Sequence, residues 1–267
     1  MNPPPALALV VNTFNQPDYL LRLLNALSHQ TQLPQEVVLA DDGSDDQTRA
    51  AFEDWAARQS FRCCRVWQEH AGFRRARILN LAIARASSPY LVFMDGDTIP
   101  HPAFVADHQR LARPRTFVQG HRALIEQAAS SFFGVGEFGA DRRRALLRLQ
   151  LHGLKHAYRW PWPACRYRAG LKGIRGCNVA IWRDVLIKVN GYNEAFTGWG
   201  REDSELAVRL MNAGVRRLDV RGWAICYHLW HPPASRASLP ANDQLLQAAL
   251  TQTAAWCEAG LSAHLRV

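Results

Sequence analysis

The amino-acid sequence predicts an α/β fold: a doubly wound, mainly parallel sheet with helices on both faces. Three observations carry this. Short apolar runs alternate with amphipathic helical stretches over the first hundred residues. The runs are strand-length, well short of the ~20 residues that cross a bilayer. Two of them end in acid clusters, Asp41-Asp42 and Asp95-Gly96-Asp97.

Residues 6–11 read as a first buried strand, ending in the polar loop 12–15. Pro17-Asp18 opens a helix whose Leu20, Leu23, Leu24 and Leu27 form one apolar face. Residues 37–40 make a second strand and a helix follows to about residue 58. Residues 65–67 form a short third strand, and Gly72 precedes a helix over 74–86. Residues 90–94 form the fourth strand, and another is expected over 117–120. Right-handed crossovers bring the ends of parallel strands to one edge, so both acid clusters should face one crevice. Ligands bind there in open α/β sheets.

The chain has 267 residues, 48% of them hydrophobic, enough for one large core. It is read as one domain: 1–120 the ligand-binding half, 121–175 a basic aromatic excursion, 176–240 a second functional half, 241–267 a C-terminal helix. A net charge of +9 favours phosphates, anionic lipid surfaces or nucleic acid. The six cysteines include no Cys-x-x-Cys pair and read as reduced thiols. Residues 1–5 lack the basic region of a secretory signal, and 6–11 is too short for its apolar core. A cytoplasmic protein is expected, at most peripheral on the inner face of the membrane.

Asp95 and Asp97 repel unless a cation joins them, and carboxylates suit Mg²⁺ or Mn²⁺. A metal–diphosphate site is the sharp reading, and a polar turn closing a strand the bland one. Asp41-Asp42-Gly43-Ser44 could grip a base or ribose, or simply turn the chain and cap a helix. Between 141 and 175, arginines and lysines mix with Tyr158, Trp160, Trp162 and Tyr167. Leu146, Leu147, Leu149, Leu151 and Leu154 suggest helical amphipathicity that Pro161 and Pro163 break. Such a stretch suits an anionic lipid surface, a phosphorylated saccharide or single-stranded nucleic acid; a solvated excursion is the alternative. Glu202-Asp203 follows Gly198-Trp199-Gly200 at a helix start, where acids also serve as caps. Gly214 should stop that helix, and 241–259 should form a last one.

Val10 to Asn15, Asp41-Asp42-Gly43-Ser44, the stretch 72–80 and Phe93-Met94-Asp95-Gly96-Asp97 come in register. Together they resemble the donor-binding half of family 2 glycosyltransferases, which have the Rossmann-like GT-A fold and use nucleotide-diphosphate sugars. The resemblance covers roughly the first 120 residues. It implies nucleotide contacts from Thr13, Asn15, Asp41 and Asp42, and donor contacts from Arg77 and Asp95. Gly198-Trp199-Gly200-Arg201-Glu202-Asp203 is similar to the acceptor motif of β-1,4-galactosyltransferases. That implies Asp203 as catalytic base, with Trp199, Glu202 and Asn178 on the acceptor side. The same resemblance implies a metal site, Mn²⁺ or Mg²⁺, from Asp95 and Asp97 with His228 or His231.

The implied function is inverting, metal-dependent transfer from a nucleotide diphosphate sugar, with UDP the favoured nucleotide. The acceptor would be a saccharide or lipid-linked sugar of bacterial surface polysaccharide or lipopolysaccharide. No nucleic acid partner is expected. A sugar-phosphate nucleotidyltransferase, or a non-catalytic protein binding anionic surfaces, are the alternatives. The first would want a Gly-rich basic loop after strand one, which Asn12-Thr13-Phe14-Asn15 does not supply.

Overall fold

The structure is a computed structural model that describes residues 3–148 and 150–265. Strand β1 (Leu7–Thr13) leads to α1 (Pro17–Ser28), β2 (Glu36–Asp41), α2 (Asp46–Ala56), β3 (Arg62–Trp67), α3 (Arg75–Arg85) and β4 (Tyr90–Asp95). Then follow β5 (Thr98–Pro100), α4 (Phe104–Leu111), β6 (Thr116–Gln119), β7 (His121–Ile125), α5 (Gln127–Ser130), α6 (Phe138–Leu147), β8 (Leu151–His152) and β9 (Ala164–Arg168). The chain continues through β10 (Val179–Trp182), α7 (Arg183–Lys188), α8 (Glu202–Asn212), β11 (Arg216–Arg221), β12 (Ile225–His228) and α9 (Leu239–Gln252).

The main sheet has the order β3-β2-β1-β4-β10-β6-β11-β9. β1 pairs in parallel with β2 and β4, β2 with β3, and β6 with β11. Only β10 and β9 run against their neighbours. Side chains of β1 alternate between the two faces, as strand pleating requires. Leu7, Leu9 and Val11 pack with Leu20, Leu23, Leu24 and Leu27 of α1 and Trp55 of α2. Ala8 and Val10 pack with Ile78, Leu79 and Ile83 of α3 and Leu206 and Leu210 of α8. Each such leucine, fully buried, stabilises the fold by roughly 1.5–3 kcal/mol. The sheet is therefore wound on both faces.

A second, smaller sheet has the order β5-β12-β7-β8. It places His228 of β12 opposite Thr98 of β5. The end of β12 thus lies beside Asp97, one residue before β5.

Two stretches depart from expectation. The basic excursion is not one helical unit. It contains β7, α5, α6 and β8, and β9 forms the far edge of the main sheet. Leu146 and Leu147 are adjacent, so α6 cannot turn both inward, and Leu147 is 86% exposed. Leu149 lies outside the described residues. Residues 176–178 form a 3₁₀ turn that leads into β10. The last helix ends at Gln252. No helix among the described residues is long and apolar enough to cross a membrane.

Candidate active site

The tips of β1, β2 and β4 lie side by side, with Thr13 opposite Asp41 and Asn12 opposite Asp95. The first acid cluster is a hydrogen-bonded cup. Ser44 N–H donates to Asp41 Oδ1 at 2.8 Å, and Arg65 Nε donates to Asp41 Oδ2 at 2.8 Å. Arg74 N–H donates to Asp42 Oδ2 at 3.1 Å, and Gln68 donates to its other oxygen. Asn15, at φ +46°, accepts from Asp45 N–H at 2.8 Å through its Oδ1. Asp45, not Asp41 or Asp42, caps α2. Thr13 Oγ1 is buried and has no partner among the described residues.

The second acid cluster divides its two carboxylates. Gly96 N–H donates to Asn12 O at 2.7 Å, and a Cβ on Gly96 would lie 3.1 Å from Thr13 Oγ1. This tight turn sends Asp95 and Asp97 to different partners. Asp97 Oδ2 lies 3.1 Å from His231 Nε2, and Asp97 Oδ1 lies 3.6 Å from His228 Nε2. The three ligand atoms fall within 4.8 Å of one another. Both histidines face the same carboxylate. Asp95 is outside this trio: its Oδ1 lies 3.3 Å from Arg75 Nη2.

The trio fits a divalent ion. Asp97 Oδ1 is buried without a hydrogen-bond partner among the described residues, a situation proteins rarely leave unanswered. Burial pushes the Asp97 carboxyl up, but the His231 hydrogen bond and both nearby imidazoles outweigh it and hold it below the usual range. Burial pushes His228 down to about 4, so its imidazole is neutral and able to ligate. The hydrogen bond with Asp97 raises His231.

Arg75 is the hub of the remaining acids. Its Nη1 lies 2.9 Å from Asp203 Oδ1 and 3.4 Å from Glu202 Oε1. The guanidinium is buried, and the three carboxylates hold its proton more firmly although burial opposes it. Burial raises Asp95, with Arg75 opposing and Asp97 and Asp203 adding to the rise. Burial and the neighbouring Asp203 push Glu202 up to about 7. Both acids of the Glu-Asp pair open α8, whose N-terminal dipole favours negative charge.

The loop before α8 is wound through left-handed residues: Gly198 at φ +71°, Gly200 at +109° and Arg201 at +79°. A Cβ on Gly198 would collide with the Ser238 side chain. Asn242 of α9 anchors this loop, its Nδ2 donating to Gly200 O at 2.9 Å and Thr197 O at 3.2 Å. Trp199 is 42% exposed at the loop's crown, with Arg236 5.9 Å from its ring.

Two expected residues have partners within the fold. Arg77 lies on the side of the first acid cluster. Its Nη1 donates to Gln68 Oε1 at 2.7 Å, linking it to the Asp42 cup. Residues two apart on a helix point about 200° apart, so with Arg75 inward Arg77 must face away. Asn178 is buried, and its amide is fully engaged within the fold. Its Nδ2 donates to Ala224 O at 2.7 Å and His121 O at 2.9 Å, and its Oδ1 lies 3.0 Å from His108 Nε2. It joins the two sheets rather than facing the acceptor side. Arg75 itself was legible only as one of three neighbouring arginines. The apolar period of its helix was the signal that could have singled it out, since Arg75 falls in line with Ile78, Leu79 and Ala82.

Residues 8–161 match Glycosyl transferase family 2, and residues 159–232 match the N-terminal domain of galactosyltransferase. The validoxylamine A glucosyltransferase of Streptomyces hygroscopicus subsp. limoneus is 30% identical over 236 residues, covering 79% of this chain and 49% of that protein. The chondroitin synthase of Escherichia coli is 24% identical over 242 residues, covering 83% of this chain and 34% of that protein. The chain thus spans half or less of the length of these relatives. Among solved structures, the mannosyltransferase PcManGT of Pyrobaculum calidifontis, in complex with GDP-Man and Mn²⁺, gives a TM-score of 0.58 at 22% identity. That likeness covers 84% of this chain and 56% of the other and concerns the fold. With a family pattern matched over more than half its length, and the GT-A sheet that such proteins share, the chain belongs to glycosyl transferase family 2.

Proposed function

We propose that this chain transfers a sugar from a nucleotide diphosphate donor to a saccharide or lipid-linked acceptor, with inversion at the anomeric carbon. The observation that carries the reading is the Arg75 bridge, which brings Asp95 at the tip of β4 and Asp203 at the start of α8 onto one guanidinium. The polysaccharide-forming relative points to bacterial surface polysaccharide as the setting. UDP is the favoured nucleotide, and the neighbour solved with GDP-Man makes GDP the other base to test.

In this reading the Asp41–Asp42 cup and Thr13 hold the nucleotide. Asp97, His228 and His231 hold the metal, and their two imidazoles favour Mn²⁺ over the harder, oxygen-seeking Mg²⁺. A metal there would offset negative charge on the diphosphate leaving group. Trp199 offers an aromatic face to the acceptor ring. Asp203 takes the proton of the acceptor hydroxyl as its oxygen bonds to the anomeric carbon. The bond from that carbon to the diphosphate oxygen breaks on the opposite face. Glu202, buried and pushed up to about 7 beside Asp203, shares Arg75 with it at 3.4 Å and shapes the acceptor side. Trp162, 83% exposed, and the exposed Arg166 four residues on support peripheral contact with an anionic membrane.

The test is a thermal-shift screen of UDP- and GDP-sugars with and without Mn²⁺. A donor at 100 times its dissociation constant adds about 2.7 kcal/mol. A metal-dependent shift with one nucleotide sugar is the expected result; no shift with any of them overturns the donor assignment.

A further inference from the structure

Beside the Arg75–Asp203 pair lies a positive cluster; its inner member, Arg122, also faces the field of Asp95 and Asp97, while Arg175 and Arg221 have no part in the transfer chemistry described above. Gly176 abuts that pair so closely that a Cβ on it would sit 2.3 Å from Arg75 Nη2 and 2.4 Å from Asp203 Oδ1. Arg175, the residue before it, is exposed and lines a small cleft with Asp203, Tyr192 and Gln119. Its backbone is held: Arg175 N–H donates to Gln119 Oε1 at 3.2 Å, and Gln119 Nε2 donates to Arg175 O at 3.1 Å. Arg122 Nη1 lies 3.5 Å from Cys177 Sγ on the same turn, and its Nε is buried without a partner among the described residues.

Next to these arginines, His121 and His156 stack with ring centres 4.3 Å apart and planes 14° apart. Burial lowers both imidazoles, and their charged neighbours, with Arg221 and Arg175 acting on both, lower them further, His121 to about 3. Burial is the larger cause at both rings, and the arginines around them add to it.

The fold neutralises other arginines of this region. Arg159 pairs with Asp107, and Arg168 and Arg217 pair with Asp219. Among the described residues, Arg122, Arg175 and Arg221 have no carboxylate within ion-pair distance. Gathered like charges are unfavourable unless a counter-ion arrives. A planar guanidinium matches a carboxylate or phosphate through paired hydrogen bonds.

We propose that Arg175 and Arg221, with Arg122 at the inner edge, form a subsite for an anionic group, carboxylate or phosphate, carried by the acceptor saccharide. The inference rests on the reading above that Asp203 faces the acceptor. It narrows the acceptor from any saccharide to a charged one.

The experiment is a saturation-transfer NMR titration of the full chain with glucose, glucuronate and glucose 6-phosphate, with inorganic phosphate, which has no carbon-bound protons, read as a competitor of the bound sugar's signal. At roughly 50 mM salt, where surface charge is weakly screened, one anionic sugar should bind at least about tenfold tighter than glucose, a difference of about 1.4 kcal/mol. Which one binds tells carboxylate from phosphate. The preference should shrink on raising the salt tenfold, and should vanish in Arg175→Gln/Arg221→Gln. Equal binding of neutral and anionic sugars overturns the proposal. So does inorganic phosphate binding as tightly as the sugar phosphate, or a preference untouched by salt. Circular dichroism checks that the double variant folds; if it does not, the salt dependence of the wild-type chain decides. A nucleotide-sugar melting shift without an anion preference sinks this inference alone. Absence of any such shift sinks the reading beneath it.

Discussion

Arg75 and Asp203 are joined at 2.9 Å between Nη1 and Oδ1, and the other nitrogen of the same guanidinium reaches Asp95 at 3.3 Å. Residues 128 positions apart in sequence therefore share one buried cation with the strand tip that precedes Asp97.

Arg75→Ala leaves Asp95, Glu202 and Asp203 crowded without a counter-charge. Breaking a buried pair on one side costs about 3–5 kcal/mol, and urea unfolding should show a loss of that order. Arg75→Lys should recover only part of it, because a point charge cannot serve both sides as a fork does.

Asp203→Asn keeps the shape and removes the proton acceptor. Nucleotide-sugar binding by thermal shift should persist, while transfer falls by about 10²–10⁴-fold. Undiminished transfer would remove Asp203 from the role of base.

Asp97→Asn should abolish the melting shift produced by Mn²⁺ alone. His231→Ala and His228→Ala should each weaken it. A Mn²⁺ shift that survives Asp97→Asn would place the metal elsewhere.

Glu202 is pushed up to about 7 in the fold, against ~4.3 for an unperturbed Glu. Between those values the native chain binds more protons than the unfolded one. Stability from this group is then full below the lower value and is lost as pH rises toward 7. The neutral variant Glu202→Gln lacks that slope. Its melting temperature relative to wild type should rise from pH 4.5 to 7 and level off above. A constant offset would refute the shifted carboxyl.

Gly176→Ala puts a methyl group where Arg75 and Asp203 approach closest. One of the pair must move. Transfer should fall more steeply than Mn²⁺ binding, since the Asp97 trio lies on other elements. Equal loss of both would point to general misfolding instead.

The donor half was readable because β1, β2 and β4 are mostly apolar runs buried on both faces. Acids stand at the tips of β2 and β4, and Asp41 and Asp95 fall where the strand ends were expected. Arg75 and Arg77 differ by helical period: Arg75 falls in line with Ile78, Leu79 and Ala82, three, four and seven residues on, whereas Arg77 lies off that inward face. Strand β9 was hidden: Arg166 and Arg168 on an exposed edge strand read as a basic loop. Asn178 looked like a site residue because an Asn after Gly-Cys gives no sign of its burial. That Asp97 meets both histidines follows from the pairing of His228 with Thr98, which no spacing along the chain encodes.

Asn242 holds the carbonyls of Gly200 and Thr197 from a helix some forty residues downstream. The crown that carries Trp199 is thus braced by a segment with no part in the nucleotide cup. Clipping that brace should blunt partner-sugar selection while leaving nucleotide recognition whole, so the two halves of the reaction can drift apart in evolution one tail substitution at a time.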